Sequence, residues 1–125
     1  MRCVAVLDLL AGQVVHAVRG DRANYAPLRS RLCATAAPDV VATALRERLN
    51  VDAFYVADLD AIQQRGSSRA LIATLVAAHA DCEWWIDADF GSPARLEAYL
   101  DAPNVRPVIG SESLHAVADL DAVRD

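Results

Sequence analysis

The stretch VAVLDLLAGQVVHAVRGDR, residues 4–22, places a single acidic side chain, Asp8, near the end of an apolar run. Residues 3–10 are otherwise almost continuously apolar, which is typical of a strand in a parallel sheet that is covered on both faces. Gly12 then permits a sharp reversal, and residues 14–18 form a second extended run. We therefore expect a buried first strand followed by a hairpin-like excursion.

Farther along the chain, apolar strand-like runs alternate with segments of helical period. Three more strands are predicted at residues 53–59, 82–88 and 105–110. Helices are predicted to begin at Pro38, at Ser67 or Ser68, at Ser92 with Pro93, and at Ser111 or Ser113. Residues 22–37 have no strong period and read as a mobile basic loop. The alternation predicts four βα units and a parallel sheet in a single domain, residues 1–125.

Composition narrows the classes of function. The chain has 125 residues, of which 54% are hydrophobic and 23% are charged, and its formal net charge is −5. This balance gives no basic stripe, so nucleic acid and anionic membrane surfaces are not expected partners, and small-molecule chemistry is favoured. Three cysteines without metal-ligand spacing argue against a disulfide framework or a zinc site. With no signal-like or membrane-spanning run, we expect a cytoplasmic protein.

Polar side chains follow every predicted parallel strand, at the sheet edge where α/β folds place their active sites. They are Asp8, then Asp58 and Asp60, then Asp87 and Asp89, then Ser111 and Glu112. The spacing of each aspartate pair points both members to one side of the sheet if both remain in the strand, and one of two close carboxyl groups can hold its proton near neutral pH. That property suits a general acid or base. The alternatives are that these aspartates cap helices and bind loop amides, or that they form a magnesium site.

Three segments in order, VLDLLAGQVVHAVRGD, FYVADLDAI and VIGSESL, resemble the N-terminal half of the histidine-biosynthesis isomerase and cyclase family. The resemblance covers nearly the whole chain but only about half of a family member. It implies a (βα)4 half of a TIM barrel and aldose–ketose isomerisation of a ribotide that carries two phosphates. Such chemistry needs no cofactor and no metal. The segments GSESL and DLDAI resemble most closely a branch of isomerase-like proteins associated with one-carbon and pterin metabolism.

The resemblance also implies roles for individual residues. Asp8 matches the catalytic aspartate of the first strand, and Asp58 with Asp60 matches the acidic segment of the second. Phosphate binding is implied for Gly91, Ser92, Gly110, Ser111 and Glu112, and Arg19 in the loop region is a further candidate for the phosphate. Asp87 and Asp89 stand where the family carries a glycine triplet. Carboxylates there would repel a phosphate, so this chain is expected to differ in its substrate.

A half barrel would leave its first and fourth parallel strands unpaired and its inner face wet, which is a liability for a soluble protein. We expect a second copy to close an eight-stranded barrel around a two-fold axis, with one Asp8 on each side of the mouth. The alternative is that the second half lies on the same polypeptide. A non-catalytic half-barrel scaffold, or a remnant subunit, is the alternative to the isomerase.

Overall fold

The computed structural model describes residues 2–18, 21–90, 93–97, 99 and 101–110. Six strands form one sheet in the order β3-β2-β1-β4-β5-β6. Their bounds are β1 Ala5–Leu10, β2 Gln13–Val18, β3 Asp21–Pro27, β4 Ala53–Asp58, β5 Glu83–Asp87 and β6 Val105–Pro107. Strands β1, β4, β5 and β6 are parallel, whereas β2 and β3 are antiparallel to their neighbours. This mixed α/β architecture is consistent with part of a TIM barrel.

Three of the described helices begin where the sequence predicts or one to two residues later, and a fourth, the short helix of residues 59–62, was not predicted. They are α1 Pro38–Leu49, α2 Leu59–Ile62, α3 Arg69–Ala78 and α4 Pro93–Glu97. Pro38 occupies the first turn of α1, where its missing N–H costs nothing, and Asn50 ends the helix in the left-handed conformation with φ of 54°. Ser68 is the N-cap residue of α3, as predicted. The fourth predicted helix lies outside the described residues.

The two faces of the sheet have different environments. Alternate residues of β1, β4 and β5 are buried against α1 and α3 in the main core, and Phe54 stacks on Trp84 with ring centroids 4.5 Å apart. The other face, which we call the open face, presents Val6, Asp8, Tyr55, Ala57, Trp85, Asp87 and Arg106. Val6 is 63% exposed and Trp85 is 40% exposed. Trp84 is fully buried, so the two neighbouring tryptophans of β5 face opposite sides of the sheet.

The structure corrects two of these expectations. Residues 21–27 are not loop but the strand β3, which pairs with β2 and extends the hairpin into a three-stranded antiparallel unit with β1. The edge of β1 is also not wholly unpaired, because Asp8, Leu9 and Leu10 pair with β2. In the described residues, only the N-terminal half of β1 lacks a partner on that side.

Candidate functional site on the open face of the sheet

Asp8 lies on the open face near the carboxyl end of β1. Its neighbours in the sheet are Val15 on β2 and Ala57 on β4, and both of these are buried. Val15 and Ala57 belong to a small apolar cluster that includes Leu59 and packs against Leu10. Burial among these groups raises the pKa of the Asp8 carboxyl above its ordinary value of 3.8. Asp8 is therefore a half-buried carboxyl group whose pKa lies above that of an exposed aspartate.

A second carboxylate faces the same side two strands away. Asp87 ends β5. Ala57 on β4 lies between the two aspartates in the sheet, because its backbone pairs with Asp8 on one side and with Asp87 on the other. The Tyr55 hydroxyl donates a hydrogen bond of 2.9 Å to Oδ2 of Asp87. The two aspartate backbones are separated by two strand spacings, about 10 Å, and the small side chain of Ala57 lies between them. The two carboxyl groups therefore belong to one face of the sheet, with one strand between them.

Asp58 faces the opposite side of the sheet from Asp8. Its side chain is fully buried; Oδ1 accepts the Ala61 N–H at 3.2 Å and Oδ2 accepts the Ser68 N–H at 2.8 Å. These bonds cap α2 and hold the segment that leads into α3. The capping alternative accounts for every contact that the structure shows for Asp58.

Asp58 and Asp60 do not share a side of the sheet, because they do not both remain in the strand: β4 ends at Asp58, and Asp60 lies in the helical turn α2. Oδ2 of Asp60 accepts the Ala11 N–H at 2.9 Å and the Ser68 hydroxyl at 3.2 Å. Asp60 thus links the β1–β2 turn to the start of α3. Both carboxylates meet at Ser68, on the helix-covered side of the carboxyl edge.

Asp87 and Asp89, the second aspartate pair, do not lie on one strand either. Asp87 ends β5, while Asp89 lies beyond the strand with φ of 56° and binds Arg95 through Oδ2 at 2.8 Å. The predicted phosphate-binding residues Arg19, Gly91, Ser92, Ser111 and Glu112 lie outside the described residues. Gly110 is described and lies three residues beyond β6 at the carboxyl edge.

The structure gives no support to the magnesium alternative within its described ranges. No three histidine, cysteine or carboxylate side chains lie close enough there to hold a metal ion. The described helices also include none that is long and apolar enough to cross a bilayer. The three cysteines are free thiols.

The sequence placed Asp87 among the carboxylates at strand ends and identified it as a departure from the family's glycine triplet, but it did not single out Tyr55. Strand parity was the available signal, because Tyr55 and Ala57 share one face of β4 and Trp85 and Asp87 share one face of β5. Parity alone does not say which residue of β5 stands beside which residue of β4. That register comes from the structure.

The arrangement defines a class of protein: an α/β chain with the parallel strands of a partial TIM barrel and carboxyl groups on the face that lines a barrel interior. Comparison with known sequences gives the family. The model of a histidine biosynthesis protein family matches residues 2–125, and the chain belongs to that family. It is also similar to an uncharacterized protein of Methanocaldococcus jannaschii, with 36% identity over 72 residues. That match covers 58% of this chain and 31% of the archaeal protein, so the chain spans only part of the relative's length.

Proposed function

We propose that this chain carries out acid/base isomerisation of a phosphorylated sugar or ribotide, of the aldose-to-ketose type, with Asp8 as the proton-transfer group. The observation that carries the proposal is the position of Asp8 on the open face, half-buried, with a pKa raised by burial. A group of this kind exchanges protons near neutral pH more readily than an exposed aspartate does.

The chemistry requires two pairs of proton movements. In the first pair, a proton leaves the hydroxyl-bearing carbon next to the carbonyl group and a proton is delivered to the carbonyl oxygen, which gives an enediol. In the second pair, a proton leaves the neighbouring hydroxyl group, which becomes the new carbonyl, and a proton is delivered to the former carbonyl carbon. Asp8 would serve one side of a ligand that lies over Ala57. Asp87 faces the other side, with Oδ2 held by Tyr55 and Oδ1 free of any described hydrogen bond. We assign the second proton position to Asp87.

In this proposal Asp58 and Asp60 are positioning residues. Their hydrogen bonds fix the turn after β1 and the segment before α3, so they shape the rim of the site without moving protons. The phosphate group of the substrate is assigned to the residues that follow β5 and β6 in the sequence, Gly91, Ser92, Gly110, Ser111 and Glu112, with Arg19 as a further ligand. No cofactor enters the proposed reaction.

We further propose that a second copy of the chain covers the open face. Two features support this: the exposed apolar side chains of Val6 and Trp85, and the unpaired N-terminal half of β1. A second copy would bury both and would supply another Asp8 to the same mouth.

The test is turnover of phosphorylated aldoses, including the ribotide aminoaldose, by wild type, Asp8→Asn and Asp87→Asn. Asp39→Asn, in the first turn of α1, is the matched control. We expect kcat to fall by about two orders of magnitude or more for the Asp8 variant and to stay unchanged for the control, because general acid–base groups contribute factors of about 10² to 10⁴. Equal turnover by Asp8→Asn and wild type would refute the assignment, whereas absence of turnover by the wild-type chain would favour a non-catalytic half-barrel subunit.

A further inference from the structure

Tyr55 lies on the open face between the strands that carry the two aspartates of the proposed site. Its backbone pairs with Val6 on β1 and with Trp85 on β5. Asp8 and Asp87 each lie two residues farther along those strands, toward the carboxyl edge. Diagonal neighbours of this kind have backbones about 7–8 Å apart, a distance that a long aromatic side chain can span. The register of the sheet therefore allows the Tyr55 hydroxyl to reach either carboxyl group.

The structure shows that this hydroxyl serves one aspartate and not the other. It donates a hydrogen bond of 2.9 Å to Oδ2 of Asp87. The Asp8 side chain forms no hydrogen bond or ion pair within the described part of the chain, and burial is the influence that acts on its carboxyl group. The two carboxyl groups thus have different environments, although both lie diagonally next to Tyr55.

The Tyr55 ring is itself held in place. Its strand, β4, lies in the middle of the sheet, with β1 and β5 paired to its two edges. The ring is half-buried and packs against the small apolar cluster that contains Val15, Ala57 and Leu59. A tyrosine has only two side-chain torsions, so packing of the ring fixes the place of the hydroxyl group.

Asp87 has less support from its own strand. It is the last residue of β5, and the chain has left the strand by Asp89, where φ is 56°. Within the described ranges, the bond from Tyr55 is the one hydrogen bond of the Asp87 side chain, which forms no ion pair there. Among the described contacts, the Tyr55 hydroxyl is therefore the group that restricts rotation of this carboxyl group.

We propose that Tyr55 is a positioning residue that acts on the reaction through Asp87: its hydroxyl holds Oδ2 and leaves Oδ1 to face the ligand. The inference rests on the proposed function, in which Asp87 is the second proton-transfer group. Proton transfer requires the two atoms to be placed within about 0.5 Å of the productive geometry, so a fixed carboxyl group reacts in a larger fraction of encounters. Tyr55 itself moves no proton in this account.

Solution NMR of the full chain tests the positioning without any substrate. The three-bond couplings between the Hα and Hβ protons of Asp87 report whether its first side-chain torsion occupies one staggered rotamer or several. Tyr55→Phe removes the hydroxyl and keeps the ring. Tyr99→Phe is the matched control, because the Tyr99 hydroxyl bonds the Ser67 side chain and its ring belongs to the main core. Amide spectra show whether each variant is folded.

We expect the couplings of a single Asp87 rotamer in the wild type and in Tyr99→Phe, and averaged couplings in Tyr55→Phe. Averaged couplings in the wild type, or couplings of a single rotamer in a folded Tyr55→Phe variant, would overturn the proposal.

Steady-state kinetics test whether this positioning matters for the reaction. We expect Tyr55→Phe to lower kcat for the phosphorylated aldose about tenfold and to change KM by less than about twofold, because the hydroxyl acts on proton transfer and not on ligand binding. In an Asp87→Asn background the same substitution should have no further effect, because Tyr55 acts through Asp87. A loss that persists in the Asp87→Asn background, or a kcat equal to that of the wild type, would overturn the proposal.

The two measurements separate this proposal from the proposed function. A chain that turns over no phosphorylated aldose, but loses the single Asp87 rotamer in Tyr55→Phe, would refute the isomerisation and support the positioning of Asp87. A chain whose turnover depends on Asp8 and Asp87 but not on Tyr55 would support the isomerisation and overturn the role of Tyr55.

Discussion

Asp8 and Asp58 show how one residue of register decides the role of an aspartate. Both lie near the carboxyl ends of neighbouring parallel strands, but Asp58 is the sheet partner of Leu9, while Asp8 is the partner of Ala57. Because successive side chains of a strand face opposite sides, Asp58 points into the helix-covered core and Asp8 onto the open face. The sequence places both aspartates at the correct edge. It cannot distinguish their sides, because register between distant strands depends on packing.

The role of Asp58 as a structural cap predicts a loss of stability on substitution. Asp58→Ala would leave the Ala61 and Ser68 N–H groups without their acceptor in a buried setting, and each unsatisfied donor costs about 1–3 kcal/mol. We expect the free energy of unfolding in urea to fall by about 3 kcal/mol. Asp101→Ala, at an exposed position, should change it by less than about 0.5 kcal/mol. An Asp58→Ala protein of wild-type stability that had lost turnover would instead place Asp58 in the chemistry.

At the scale of elements, most of the fold follows from local patterns. Pro38, Asn50 and Ser68 mark helix ends through backbone preferences that operate in any context, and the structure confirms them. The strand β3 is different, because its sequence, DRANYAP, has few strand-forming residues and becomes a strand only through pairing with β2. The short helix α2 was also not predicted, and the strand predicted over residues 53–59 ends one residue earlier, at Asp58.

The turn between β1 and β2 contains two consecutive residues with positive φ, Ala11 at 51° and Gly12 at 81°. A two-residue hairpin of this type favours Asn-Gly, and alanine is strained at such a φ. We expect Ala11→Asn to raise the free energy of unfolding by about 0.5 kcal/mol and Gly12→Ala to lower it by about 1 kcal/mol. Urea unfolding of both variants is the measurement. This account of the turn would be contradicted if both substitutions raised the free energy of unfolding, or if both lowered it.

A cluster at the opposite end of the sheet links α1 to the segment after α3. The buried His79 accepts a hydrogen bond of 2.9 Å at Nδ1 from Arg46, which also pairs with Asp81. Arginine can only donate, so this contact requires neutral histidine. Burial, followed by the Arg46 charge, lowers the pKa of His79 below 6.5, and Asp81 opposes the shift.

This lowered pKa predicts a pH-dependent stability. A histidine with a lower pKa in the folded state contributes stability that is present above pH 6.5, its unfolded value, and is lost as the pH falls through the folded value. We therefore expect the free energy of unfolding to fall between pH 7.5 and pH 5, and the fall to be smaller in His79→Gln. His16→Gln, an exposed position on β2, serves as the control. An identical pH dependence in wild type and His79→Gln would refute the assignment.

At the scale of the whole molecule, the dominant feature is that one face of the sheet is covered by helices and the other is not. The helix-covered face contains the large buried side chains, whereas the open face leaves Val6 and Trp85 in contact with solvent. In a closed barrel such residues fill the interior. This asymmetry underlies the proposed pairing of two chains.

Sedimentation at micromolar concentration tests that pairing. We expect a dimer for the wild-type chain. Trp85→Glu would bury a charge at the interface and should shift the species to a monomer. Glu97→Gln, an exposed position on α4, is the control and should leave the dimer intact. A wild-type chain that sediments as a stable monomer would contradict the pairing.

The central claim is that Asp8 moves a substrate proton on the open face, and solvent exchange measures this step most directly. In D2O, a phosphorylated aldose incubated with the wild-type chain should gain deuterium at the carbon next to the carbonyl group, as detected by proton NMR. Asp8→Asn should abolish this incorporation, while Asp39→Asn should retain it. Deuterium incorporation at the same rate in wild type and Asp8→Asn would contradict the account.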